Sequence, residues 1–208
     1  MSEEFGTLSP ERIGRATASR IKDIIAKTKT GYGASRANYL AELVAERLTG
    51  EPYPSFQNPS MKWGNDTEPM ARAAYAMHVG EDVHFLGFVR HPAIEMAGAS
   101  PDGGVGKHGL VELKCPNTAT HIDLLRGGPW DGGYIAQGFW QMACTGREWC
   151  DLVSFDPRMP ENMQLFVNHI KRDDQMIAAL EREVIIFLDE VAKTVNKLQE
   201  QYCKAEAT

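Results

Sequence analysis

A chain of 208 residues, 43% hydrophobic and 24% charged, has the balance of one ordinary folded domain with room for a substantial core. Its apolar runs, such as Val184 to Leu188, are too short to span a bilayer, and acidic Glu3 and Glu4 stand where a signal peptide carries positive charge, so a cytoplasmic protein without a membrane segment is expected. The net charge of −6 argues against a protein that coats DNA non-specifically, yet Arg12, Arg15, Arg20, Lys22, Lys27, Lys29 and Arg36 make one early stretch basic within an acidic whole.

In chain order, Ser9-Pro10-Glu11 reads as a helix start, and a second initiation at Thr17 to Ser19 leads into Ile21, Ile24 and Ile25 at helical spacing. Gly31 to Gly33 breaks the chain. Leu40, Leu43, Val44 and Leu48 then mark an amphipathic helix that stops at Gly50. Met61 to Val79 reads as another, with Gly64 and Pro69 leaving its start open. From Val83 the texture changes to short apolar segments divided by Gly and Pro, and Val83–Val89, Ala93–Ala97 and Leu110–Cys115 are read as strands. A loop or short helix follows Pro116, then a helix from Tyr134 to Thr145 and strands at Leu152–Phe155 and Leu165–Ile170, with Asp156-Pro157-Arg158 opening the turn between them. Ile177, Leu180, Val184, Leu188, Val191, Val195 and Leu198 repeat at helical spacing from Asp173 to about Tyr202, a face suited to core packing. Without repeats or linkers, residues 1–208 are read as one domain, its core at about 10–170 and its last helix at about 173–202.

Cys115, Cys144, Cys150 and Cys203 form no C-x-x-C pair, and the six histidines show no metal-ligand spacing, which speaks against a zinc ribbon or a disulfide scaffold. The chemistry gathers elsewhere, in residues 100–116. There a turn rich in glycine precedes a strand whose alternation puts Val111, Leu113 and Cys115 on one face and Glu112 and Lys114 on the other. Glu112 and Lys114 stand about 6 to 7 Å apart along such a strand, and the turn can return Asp102 towards them. Two converging carboxylates suit a hard cation such as magnesium, and an adjacent ammonium can share the charge that grows on phosphorus during phosphodiester hydrolysis. An isolated E-x-K is more often a pair of surface charges. Asp102, nine residues and then Glu-x-Lys, with Pro101 before the aspartate, is instead the signature of the PD-(D/E)xK, or restriction-endonuclease-like, nuclease superfamily.

The wider pattern resembles the phage lambda exonuclease and YqaJ-like viral recombinase family. The resemblance rests on ordered segments between about residues 10 and 160: Arg12 to Ser19, Trp63-Gly64 with Glu68, Ser100 to Gly103, Leu110 to Pro116, Tyr134 to Gln137 and Asp156 to Met159. It implies an α/β (α+β) fold with a restriction-endonuclease-like core, a central mixed twisted sheet flanked by helices. It also implies a magnesium-dependent 5′-to-3′ exonuclease that acts on linear double-stranded DNA ends and leaves a 3′ overhang for recombination by strand annealing. Two magnesium ions per site, replaceable by manganese, a ring-shaped homotrimer, a single-strand annealing partner and a phage or prophage origin in a bacterial host cytoplasm come with it.

By the same resemblance, Asp102 and Glu112 would be metal ligands with the backbone carbonyl of Leu113 as a third. Lys114 and Gln137 would contact the nucleophilic water, and Glu68 would help hold water or metal. Arg12 and Ser19 would bind the 5′ phosphate, a task suited to a guanidinium and to a hydroxyl near a helix N-terminus. Glu68 by itself reads as a helix-start acid before Pro69, and Gln141, one turn beyond Gln137, can exchange roles with it. Trp140 and Met142 are read as core. Arg158 sits in a matching motif without an assigned task, residues 27–39 do not align, and the last helix matches only in character. An endonuclease of the same fold and a non-catalytic recombination adaptor are the alternatives, although an adaptor has no need to retain Asp102, Glu112 and Lys114 together.

Overall fold

The computed structural model describes residues 9–29, 31–54 and 58–202; Glu3, Glu4 and Cys203 lie outside them. The helix start at Ser9-Pro10 is a single 3-10 turn, Pro10–Arg12, because Gly14, with φ of 70°, turns the chain immediately into strand β1 (Ala16–Thr17). A second 3-10 turn, Ala18–Arg20, feeds helix α1 (Ile21–Ile25), which buries Ile21 and Ile24 as their spacing predicts. A small hairpin, β2 (Lys27–Thr28) and β3 (Gly31–Tyr32), leads to α2 (Ala34–Thr49), closed by Gly50 in the left-handed conformation. Helix α3 (Pro59–Val79) begins at Asn58, whose side-chain oxygen accepts the Met61 N–H at 2.9 Å. Pro69 lies inside α3, so Glu68 is an interior residue and not the helix-start acid that its neighbour suggested.

The expected strand Val83–Val89 is two, β4 (Val83–His84) and β5 (Val89–Arg90), in different sheets, because Gly87 with φ of 66° turns the chain between them. Residues 93–96 are a turn, not a strand. His91 Nδ1 accepts the N–H groups of Ala93 and Ile94, and pairing begins only at β6 (Ala97–Ala99). Beyond it come β7 (Gly103–Val105), β8 (Gly109–Lys114), α4 (Thr118–Leu125), α5 (Gly132–Thr145), β9 (Trp149–Phe155), β10 (Leu165–Lys171) and α6 (Asp174–Tyr202). The five-stranded sheet runs β10-β9-β8-β7-β4, antiparallel except for the parallel β8/β9 pair, and a smaller sheet runs β1-β6-β5. The fold is thus the mixed α/β arrangement expected.

Alternation along β8 and β9 divides the interior in two. Leu110, Cys150 and Leu152 join Trp140 and Met142 of α5, Ile21 and Ile24 of α1, and the apolar stripe of α6. Val111, Leu113, Val153 and Phe155 face the other way, onto Ala71 and Tyr75 of α3. Trp140 and Met142 are wholly buried core residues, the Trp140 indole donating to the Gly98 carbonyl at 3.2 Å. The stripe on α6 is likewise core, with Val184, Phe187 and Val191 completely buried. Lys27 and Arg36 from the non-aligning stretch pair with Glu183 and Glu190 of that helix. No helix among the described residues is long and apolar enough to cross a membrane.

Candidate active site

The face of β8 that carries Glu112 and Lys114 is covered by α5. Glu112 is only 1% exposed, so a carboxylate on the polar side of an alternating strand becomes one of the most buried side chains in the protein. Burying a charge is costly unless it is paired and hydrogen-bonded, and the surroundings meet that requirement. Oε1 accepts from Lys114 Nζ at 2.5 Å and from Gln137 Nε2 at 2.6 Å, and Oε2 accepts from Gln141 Nε2 at 2.5 Å. Gln137 and Gln141 stand one helical turn apart on α5, and both reach Glu112, one to each oxygen. The two glutamines that the sequence left as alternatives therefore act as a pair.

Asp102 arrives from the turn before β7, as expected. Its Oδ2 accepts the Leu113 N–H at 2.7 Å. The register pairs Gly103 with Val111, so Leu113 lies two residues beyond the β7 ladder, and the aspartate side chain takes the place of a strand partner there. Since a strand residue turns its N–H and C=O to the same edge, the Leu113 carbonyl also faces the Asp102 side. Gly103 is required at this approach, because a Cβ there would run into Val83 and come within 3.3 Å of Arg72 Nη1. Arg72 is the link to Glu68: Nη2 holds the Glu68 carboxylate at 2.6 Å, one helical turn back on α3, and Nη1 donates to the Asp102 carbonyl.

Glu68, Asp102, Glu112, Leu113 and Lys114 line a cavity of about 820 Å³, together with Trp63, Trp130, Tyr134 and Arg158. Burial lifts the Asp102 carboxyl well above the usual carboxylate range, and the charges of Glu112 and Glu68 lift it further against the pull of Lys114 and the Leu113 N–H. Burial opposes the charge on Lys114, but Glu112 and Asp102 outweigh it and hold the ammonium above its ordinary value. Lys114 is therefore a fixed cation, its Nζ also lying 4.7 Å from the centre of the Tyr134 ring.

Arg12 and Ser19 are apart from the cavity wall. Arg12 Nη1 donates to Ser100 Oγ at 2.9 Å, two residues before Asp102, while its Nε is buried without a partner among the described residues. Ser19 is exposed on the 3-10 turn before α1. Arg72 and Trp63 were not singled out by their own chemistry in the sequence, although the i, i+4 spacing of Glu68 and Arg72 is a signal that could have found the first.

The donor set fits a hard divalent cation. Glu112 Oε2 and Asp102 retain acceptor capacity beyond the hydrogen bonds described, and both are carboxylates that line the same cavity. Among the described residues no three His, Cys, Asp or Glu side chains cluster closely enough to enclose a metal by themselves. Magnesium, which keeps several waters and is commonly held by one or two carboxylates, does not need such a cage.

An acidic pair and a fixed lysine at a cavity beside a mixed sheet, with two buried amide donors holding one of the acids, make up the equipment of a nuclease. The chain belongs to the YqaJ-like viral recombinase domain family, whose model matches residues 9–148. Among solved structures it is similar to the alkaline exonuclease LHK-Exo from Laribacter hongkongensis, with 47% identity and a TM-score of 0.86 over 93% of this chain and 95% of that one. The same protein in complex with dAMP matches at 47% identity and a TM-score of 0.87, over 94% and 96% of the two chains. A phage-related exonuclease from Haemophilus somnus 129PT, 14% identical with a TM-score of 0.70 over 88% and 96%, shares the fold. The chain matches no curated protein sequence.

Proposed function

We propose that this nuclease is a magnesium-dependent 5′-to-3′ exonuclease acting on linear double-stranded DNA ends and leaving a 3′ single-stranded overhang. The observation that carries the reading is the meeting of Asp102, from the turn before β7, with Glu112 and Lys114 of β8 in one cavity, Glu112 being held there by Gln137 of α5. Asp102, Glu112 and the Leu113 carbonyl would hold the metal, and Glu68 would bind water or metal from α3. Magnesium, when bound, lowers the pKa of water and neutralises charge on the phosphoryl oxygens. Lys114, kept protonated by its carboxylate neighbours, places an ammonium beside the charge that grows on phosphorus. Gln137 fixes the orientation of Glu112 and can donate to the attacking water.

Arg12, joined through Ser100 to the segment that carries Asp102, is the candidate grip on a 5′ phosphate, with Ser19 as its assistant. Two ions per site with manganese as a substitute, a homotrimer, a single-strand annealing partner and a phage-type role in a bacterial host cytoplasm complete the proposal by family resemblance. The test is digestion of end-labelled linear duplex and of a covalently closed circle, with and without magnesium. Linear DNA should lose nucleotides from 5′-phosphorylated ends only with magnesium, and Arg12→Ala should lessen the preference for the phosphate more than the basal rate. Cleavage of the circle would make the protein an endonuclease instead.

A further inference from the structure

Arg158, left without a task by its motif, lines the cavity. Its guanidinium is locked on three sides. Nε and Nη2 clasp Asp156 at 2.7 and 3.0 Å, Nη2 also reaches the Pro116 carbonyl at 3.4 Å, and the group lies 4.4 Å from the centre of the Trp63 ring. Asp156 is itself fully buried and is further held by the Thr118 hydroxyl at 2.7 Å. Yet the Arg158 side chain remains 47% exposed, and Nη1 has no protein acceptor among the described residues. A planar group held this firmly, with one donor edge left open, is preorganised for an anion.

The charge of the cavity points to which anion. Glu68, Asp102, Glu112, Asp123 and Asp131 line it, and against these five carboxylates its described lining holds two cations, Lys114 and Arg158. Lys114 is committed to Glu112. That leaves Arg158 as the lining cation which can meet a phosphate away from the scissile position. We propose that Arg158, held flat by Trp63 and Asp156, is a positioning residue that binds a non-scissile backbone phosphate of the DNA strand entering the cavity. This rests on the nuclease reading above.

The experiment measures cleavage of linear duplex, and binding of a fluorescent duplex in calcium, across a series of salt concentrations for wild type, Arg158→Ala and Arg158→Gln. The glutamine removes the charge but keeps a donor for Asp156, so it guards against simple loss of fold. Both variants should raise KM and Kd about tenfold with kcat changed less than about twofold, and should lower the slope of log Kd against log salt by about one. Melting temperature checks the fold of each. An unchanged slope, or a fall in kcat at constant KM, overturns the phosphate role and leaves Arg158 as a structural clamp on Asp156. If wild type neither cleaves nor binds linear duplex, the nuclease reading itself fails; if wild type does both and only the slope is unmoved, the Arg158 proposal alone fails.

Discussion

At the scale of residues, the site sets charge against charge within a small volume. Asp102 is raised above the carboxylate range by burial and by Glu112, so its ionised form costs the folded protein stability at neutral pH. The sign follows directly: a folded carboxyl that titrates above its unfolded value loses stability as pH rises through the interval between them. Asp102→Asn should then cut cleavage at least about a hundredfold while its melting temperature at pH 7 equals or exceeds that of wild type. Magnesium should raise the melting temperature of wild type, by binding the native state alone, and leave the variant where it is. A lower melting point for the variant without metal would contradict the repulsion. Lys114 behaves differently, since removing it strands the buried Glu112 without its ammonium. Deletion of the Lys114 charge should therefore lower the melting temperature as well as the cleavage rate, because α5 covers the face of β8 that carries it.

At the scale of elements, the loop after β9 is fastened to the start of α4 and to α3 through Asp156. Burial opposes the charge of this carboxyl, but Arg158 and Thr118 outweigh it and hold it at about 2, against an ordinary 3.8. A depressed carboxyl contributes stability that is complete above its unfolded value and fades as pH falls from about 4 to about 2. The exposure of Arg158 screens the pair, which puts the contribution at roughly 1 to 2 kcal/mol. Urea unfolding of wild type and Asp156→Asn at pH 5 and pH 2.5 should show wild type losing that much more over the interval; equal losses would remove Asp156 from the account. The element boundaries carry a lesson of their own. Helices α2, α5 and α6 were legible because their apolar periodicity is long, whereas Val83–Val89 was read as one strand because the left-handed Gly87 is indistinguishable in sequence from any other glycine. Strand β7, Gly103–Val105, was hidden for a related reason: Gly103 is there to admit Val83 and Arg72, and Gly104 to admit His84 and Arg147, a demand made by neighbours distant in sequence.

At the scale of the whole molecule, α6 is the piece that binds the helical layer together. Phe187 is wholly buried and stacks on Tyr39 of α2 with centroids 5.4 Å apart, in the same cluster as α1 and α5. Phe187→Ala should cost about 3 to 5 kcal/mol, a large share of the 5 to 15 kcal/mol typical of a whole domain. Denaturant midpoints would read it, with the m-value unchanged if unfolding stays two-state. A loss below about 1 kcal/mol would mean that α6 is dispensable to the core and free for another purpose.

The sequence by itself determined the chemistry on offer: an alternating strand with Glu112 and Lys114 on one side, an aspartate returned by a glycine-rich turn, and amphipathic helices long enough to supply a core. These are local facts, written in spacings of two residues or of three to four, and they survive any arrangement of the rest. Tertiary structure alone decided what the carboxylates meet. Only the docking of α5 over β8 could bury Glu112 and give Gln137 and Gln141 one oxygen each, because those contacts join residues 25 to 29 positions apart. Only α3, lying on the other face of the sheet, could bring Arg72 to Asp102 and Trp63 to Arg158. Periodicity reports which face of an element is apolar; it does not report which element covers the polar face, and here that covering makes the site.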